Sequence, residues 1–282
     1  MLRLLHISDL HFGPPYMERV GEAVQRLAPE LNPDIIVASG DFTQRAKTAQ
    51  FAQAKEFLGR LPDVPKVAIP GNHDVPLYRV AERVRDPHGL YRQYISNELD
   101  RTWHFDEATI VGIDSTAPRR AISNGRIQAA QLDFCAEAFA SSPNGAAKIV
   151  VAHHHFTPAP DHERDQTMPK AKRAMKRFVE MGVDMILGGH LHRSYIGDSL
   201  DFYPSLRSGH QGIIIVQCGT TTSRRGRERE RNSLNAIEIT PDTLHVTHHM
   251  YFGDTGCFEP ISNHDFPRRG RRILNGPRPH DG

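Results

Sequence analysis

Cysteine is scarce. Cys135, Cys218 and Cys257 are the only three in 282 residues, and their spacing matches no thiolate metal motif. An odd, sparse count argues against a disulfide framework and suits a reducing cytoplasm. Long apolar runs are missing too: no stretch approaches the roughly 20 residues of a membrane span. The opening MLRLLHISD passes from a short apolar run straight into charge, without a signal-peptide cleavage pattern. A dominant charge is also absent. With 35 Lys and Arg against 33 Asp and Glu the chain carries +2, so total charge implies neither a nucleic-acid polymer nor an anionic membrane as partner. A homo-oligomer is compatible with this composition. What stands out is histidine, at 17 residues, and its placement carries the functional reading.

Apolar strands alternate with amphipathic helices. Residues 2–7, 34–38, 66–69, 109–113, 148–152, 184–187 and 213–217 read as strands. Met17, Val20, Val24, Leu27 and Leu31 recur at helical spacing, and residues 46–61, 128–140 and 169–181 read as further helices. Late in the chain NAIEIT and DTLHVTHHMYF are joined by Pro241-Asp242, a hairpin signal. The pattern is α/β with an antiparallel appendix, one domain over residues 1–262. Residues 75–104 read as a cap-like insertion, and residues 263–282, rich in Arg, Pro and Gly, as a flexible tail.

The strands end in polar residues of one kind. The first gives Asp9-Leu10-His11, the second Gly40-Asp41, the third Gly71-Asn72-His73-Asp74. Later strands give His153-His154-His155 and Gly189-His190-Leu191-His192. Alone, each has a plain explanation: a solvated strand end, a turn, a histidine in the core. Turn chemistry does not produce all of them along one chain, and strand C-termini are where open α/β sheets place ligand sites. Histidine, carboxylate and amide donors without thiolate suit two borderline transition-metal ions such as Mn, Fe or Zn. A pair of ions about 3.5–4 Å apart, sharing a carboxylate, generates a hydroxide nucleophile at neutral pH and fits in-line displacement at phosphorus.

In this order the residues resemble the calcineurin-like metallophosphoesterases: D-x-H, G-D, G-N-H-D/E, a histidine after a strand, and G-H-x-H. The resemblance runs from about Asp9 to His192. It implies a four-layer double β-sandwich flanked by helices. Carried over by position, Asp9, His11, Asp41 and His192 would hold the first metal. Asp41 would bridge, and Asn72, His153 and His190 would complete the second. His73 would serve as an acid or phosphate contact and Asp74 would orient the turn or a neighbouring histidine. His154 competes with His153, because the usual His-His-Pro-Pro continuation reads His-Phe-Thr-Pro here.

Gly40–Ala46 reads GDFTQRA, with Gln44 where the protein Ser/Thr phosphatases carry a second acid. The length and the GTTTSRR segment at 219–225 look instead like bacterial phosphodiesterases of the cyclic-nucleotide and glycerophosphodiester type. Arg224 and Arg225 are candidate phosphate contacts, with a solvated Arg/Glu-rich loop as the plain alternative. The implied substrate is a small phosphodiester. Tyr78, Tyr91, Tyr94 and Trp103 could wall its pocket, or simply pack the insertion onto the domain. Two other readings stand beside it. One is a lipid-linked pyrophosphate hydrolase resembling UDP-diacylglucosamine hydrolases. It would need the insertion to present an exposed apolar face, against which its many Arg, Asp and Glu argue. The other is a non-enzymatic scaffold, a role in which ligands tend to be lost; none is missing here.

Overall fold

The computed structural model describes residues 1–120, 125–159, 166–206, 212–226 and 230–268. The strands are β1 (Leu2–Ile7), β2 (Ile35–Ala38), β3 (Lys66–Ala68), β4 (Arg101–His104), β5 (Ala108–Gly112), β6 (Ala147–Val151), β7 (Met185–Gly188), β8 (Tyr195–Asp198), β9 (Ile214–Gln217), β10 (Ser233–Ile239), β11 (Thr243–Phe252) and β12 (Cys257–Pro267). The helices are α1 (Glu18–Glu30), α2 (Thr48–Gly59), α3 (Val80–Arg85), α4 (Gly89–Tyr94), α5 (Ala129–Ala140), α6 (Ala171–Met181) and the short α7 (Ser199–Phe202).

Two mixed six-stranded sheets result, in the orders β12-β11-β10-β1-β2-β3 and β4-β5-β6-β7-β9-β8. The first has a parallel half, β1-β2-β3, running to its β3 edge with antiparallel β10, β11 and β12 on the other side; the second has a parallel centre, β5-β6-β7-β9, with antiparallel β4 and β8 at its edges. The period of two along the central strands produces four layers. Leu2 and Leu4 of β1, Ile35 and Val37 of β2, and Ala147, Ile149 and Val151 of β6 all join one core between the sheets. Their neighbours turn outward: Leu5, Ile7, Ile36 and Ala38 meet α1 and α2, while Val150 and Ala152 meet α5 and α6. Strands apolar on both faces read as continuous runs, which is why these were legible in the sequence.

The outer strands depart from the reading. β4 falls inside the expected insertion and pairs with β5 as an edge of the second sheet. β12 pairs with β11 and runs to Pro267, so the first residues of the expected loose tail are ladder residues. Most of β12 is exposed and it carries Pro260 and Pro267, as an outermost strand can. Residues 269–282 lie outside the described residues. Among those described, no helix is long and apolar enough to cross a membrane.

Candidate metal centre

The C-terminal ends of β1, β2, β3, β6 and β7 gather on one rim. Asp9, His11, Asp41, His190 and His192 all take left-handed backbone, with φ of 53°, 49°, 54°, 76° and 53°. Such conformations are uncommon for residues with a side chain and disfavoured by about 1–2 kcal/mol each. Their concentration at one rim marks a place where geometry is held against local preference. Gly71 is required by close approach: a Cβ there would overlap the backbone and carboxylate of Asp41. Gly40, at φ 104°, would drive a Cβ into the His153 ring.

Two half-sites share one oxygen. In the first, the donor atoms of Asp9, His11, Asp41 and His192 all lie within 4.8 Å of one another. His192 Nε2 is 3.1 Å from Asp9 Oδ1, and His11 Nε2 is 3.5 Å from the same oxygen. In the second, His153 Nε2 is 3.3 Å from Asn72 Oδ1, and His190 Nδ1 is 2.9 Å from that oxygen. Asp41 Oδ2 faces both, at 3.7 Å from His11 Nε2 and 3.4 Å from His153 Nε2.

Asp9 Oδ1 and Asp41 Oδ2 are buried acceptors with no hydrogen-bond donor. A dry acceptor left unpaired is costly. Ringed by imidazole nitrogens, these oxygens form the donor set that a divalent cation satisfies. The charges agree. Burial pushes the Asp9 carboxyl up, but the adjoining His192 and His11 imidazoles outweigh it and hold Asp9 well below its ordinary range. Asp41 is lowered likewise, with burial outweighed by His153 and His73. Burial lowers His153, yet the Asp41 charge raises it more, to about 9. Burial holds His11 down to about 4 and His190 well below the usual imidazole range.

Of the competing histidines, His153 faces the cluster. His154 Nδ1 lies 2.8 Å from Ser115 Oγ, and its buried Nε2 has no partner, its ring 4.6 Å from that of His190. His73 stands at the edge of the cluster: its main-chain N–H donates to Asp41 Oδ1 at 2.7 Å and its Nδ1–H to the Gln44 carbonyl at 2.9 Å. Asp74 is buried beneath. It accepts from the main-chain N–H of Gly71, Phe42 and Thr43 at 3.0, 3.1 and 2.9 Å, and from Thr43 Oγ1 at 3.0 Å. Burial and the neighbouring Asp41 push its carboxyl up to about 7, against those bonds.

Arg225 lies beside the first half-site; its carbonyl accepts from His192 Nδ1 at 2.7 Å and its guanidinium donates to Gln44 Oε1 at 3.0 Å. Arg224 is exposed on the same loop. Three of the four aromatics of residues 75–104 pack rather than wall a pocket: Tyr91 lies buried against Phe42, Tyr94 stacks on Phe51, and Trp103 joins the inter-sheet core. The exception is Tyr78, which with Leu77, Val80 and Val84 is exposed. The apolar face that the charge pattern of this segment argued against is therefore present.

Sequence reasoning missed the residues that hold His153, His154 and His73 in place. Ser39, Ser115, Thr43 and Gln44 look like ordinary loop residues until the fold brings their partners, 29 to 114 positions away, onto them. The one available signal was polarity inside apolar strands, as at His6 of β1 and Asn235 of β10.

The profile of the calcineurin-like phosphoesterases matches residues 2–194. The chain is 27% identical over 247 residues to a probable cyclic nucleotide phosphodiesterase of Psychrobacter arcticus, spanning 78% of this chain and 80% of that protein. It is 38% identical over 89 residues to a UDP-2,3-diacylglucosamine pyrophosphatase of Chlamydia trachomatis, covering 31% and 26% of the two chains. Among solved structures, a dimetal phosphatase from Danio rerio superposes with a TM-score of 0.65 at 10% identity, covering 95% of this chain and 99% of that one. That likeness shows the fold, a mixed α/β metallophosphoesterase architecture.

Proposed function

The chain belongs to the calcineurin-like phosphoesterases, and from that premise we propose a two-metal hydrolase of small phosphodiesters, of the cyclic-nucleotide or glycerophosphodiester type, working in the cytoplasm. The observation that carries the dinuclear reading is the position of Asp41 Oδ2 between His11 and His153. Asp9, His11, Asp41 and His192 would hold one ion, and Asp41, Asn72, His153 and His190 the other, with Mn, Fe or Zn suited to these donors. When bound, the ions supply positive charge to the phosphoryl oxygens and a nucleophile at neutral pH.

The chain's own groups do the rest. His73 commits Nδ1–H to the Gln44 carbonyl, so as a general acid it would act in its doubly protonated form, giving the Nε2 proton to the departing oxygen. Asp74 keeps the His73 turn in register through its four hydrogen bonds. The Arg225 guanidinium beside the first half-site is held by Gln44 Oε1, which restricts its freedom to pair with the extra charge of a monoester. That favours a singly charged diester and eases release of the more highly charged monoester. The relative from Psychrobacter arcticus supports the same class.

The test is a substrate panel with metal-reconstituted protein: bis(p-nitrophenyl) phosphate against p-nitrophenyl phosphate, then 3′,5′- and 2′,3′-cyclic nucleotides and glycerophosphodiesters. Diesters should turn over faster. A faster monoester overturns the assignment.

A second reading, hydrolysis of a lipid-linked pyrophosphate, is favoured by one observation, the exposed apolar stretch at Leu77, Tyr78, Val80 and Val84. Turnover of UDP-diacylglucosamine with none of the soluble diesters would select it.

A further inference from the structure

Large apolar side chains are exposed at six described positions, and four of them fall in eight consecutive residues. Leu77, Tyr78, Val80 and Val84 are 38, 75, 64 and 55% exposed. Val80 and Val84 are four apart on α3 and so share a face. Clustered apolar exposure of this kind marks an interaction surface, where scattered single residues would not.

Its rim is basic. Arg45 lies over the Tyr78 ring at 5.6 Å, which brings the residue next to Gln44 onto the patch. Arg83 donates to the carbonyls of Pro118 and Arg120, bringing the exposed Arg119 and Arg120 close to α3. Arg85 is the last residue of the helix. The acids here are already engaged: Glu82 pairs with Arg79 and Asp86 with Arg92. A net charge of +2 over the whole chain hides this local excess.

The patch adjoins the metal centre. It begins four residues after His73, and Arg45 follows the residue whose carbonyl holds the His73 ring. We propose that residues 77–84 seat the protein on an anionic lipid bilayer, with Tyr78, Val80 and Val84 entering the headgroup boundary and the arginines meeting lipid phosphates. Apolar side chains interleaved with arginine suit that boundary, since each guanidinium reaches the headgroups while its stem stays among apolar groups. Tyrosine is favoured at the same depth. A folded protein partner would have to answer the arginines with acids placed one by one; an anionic bilayer answers them wherever they lie. The inference rests on the phosphoesterase reading only for what the adjoining site does.

The experiment is cosedimentation of the full chain with phosphatidylcholine vesicles, with and without phosphatidylglycerol, at low and high salt. Binding should need phosphatidylglycerol and weaken as salt rises. Val80→Asp/Val84→Asp should weaken it about tenfold or more, with bis(p-nitrophenyl) phosphate hydrolysis in solution unchanged. Tyr78→Trp gives a readout independent of any loss of fold: its emission should shift to the blue with phosphatidylglycerol vesicles. Failure to bind, equal binding by the Asp double variant, or no emission shift would overturn the docking surface. The diester panel stands or falls separately, because it uses no lipid.

Discussion

His153 gives its Nδ1–H to the main-chain carbonyl of Ser39, 2.8 Å away. A carbonyl can only accept, so in the neutral ring Nε2 carries the lone pair, and Nε2 faces Asp41 and Asn72. The same arrangement recurs at His192 with the Arg225 carbonyl and at His73 with the Gln44 carbonyl. Two carbonyls of the β2–α2 loop and the carbonyl of Arg225 thus set three tautomers, as is usual for histidines at metal sites.

Asp41 is the shared member, so its loss should be felt on both sides. Wild type should hold close to two transition-metal ions per chain, Asp41→Asn should lose both together, and His11→Ala should keep the second better. Elemental analysis of each variant reads this directly. A fully active wild type with a single ion would refute the dinuclear centre.

His73 stands outside both sets of ligand residues, with its ring edge-on to His11 at 4.8 Å. His73→Ala should therefore retain metal while turnover of an alkyl diester drops roughly 10²–10⁴-fold. With a p-nitrophenyl ester, whose leaving group needs little proton assistance, the loss should shrink. Equal losses for both leaving groups would reduce His73 to an electrostatic contact.

Much of this was legible because the central strands are apolar on both faces and end in ligand-type residues: β1 stops just before Asp9, β2 before Asp41, β7 before His190. What stayed hidden depends on long-range pairing or on exposure. β12 alternates poorly because most of its side chains meet solvent, and β4 and β8 are edge strands of intermediate burial. The left-handed backbone at Asp9, His11, Asp41, His190 and His192 is only weakly marked in the sequence: Asp and His enter that region more often than most side chains, but most Asp and His residues do not. Burial of Tyr91 and exposure of Tyr78 follow from where α3 and α4 dock, which composition does not encode.

Asp74 is a test of how tightly the turn is held. Asp74→Ala would strip acceptors from three main-chain N–H groups, at Gly71, Phe42 and Thr43. Buried donors left unsatisfied are each worth about 1–3 kcal/mol, and these are partly redundant, so a loss of about 3 kcal/mol in chemical denaturation is expected. Asp74→Asn, which keeps acceptor oxygen, should lose less. A loss below about 1 kcal/mol for Asp74→Ala would mean that water replaces the carboxylate.

Behind the metal rim a second set of histidines makes stability depend on pH. His6 Nε2 lies 2.9 Å from Ser39 Oγ and its Nδ1 3.3 Å from Asn235 Nδ2; Asn235 Oδ1 accepts from His248 Nδ1 at 2.8 Å, and His248 Nε2 lies 2.8 Å from Ser194 Oγ. Each ring donates once and accepts once, so the chain from Ser194 to Ser39 is complete only while both rings are neutral. Burial lowers His6 to about 3 and His248 to about 4. The unfolded chain binds these protons near pH 6.5 and the folded chain does not, so stability is full above about 6.5 and falls as pH drops toward 4. The fully buried His6 ring can contribute a slope of up to about 1.4 kcal/mol per pH unit in that window, and the half-buried His248 less. Native Asp9 and Asp41, both held low, add their losses only at more acidic pH. His6→Gln removes the proton uptake while keeping polar atoms for Ser39 and Asn235. Urea denaturation at pH 7, 6 and 5 should then show a shallower fall for His6→Gln than for wild type, with the two curves closest at pH 5. Parallel curves would show that His6 takes up its proton without unfolding, and would break the link between the neutral ring and the packed sheet.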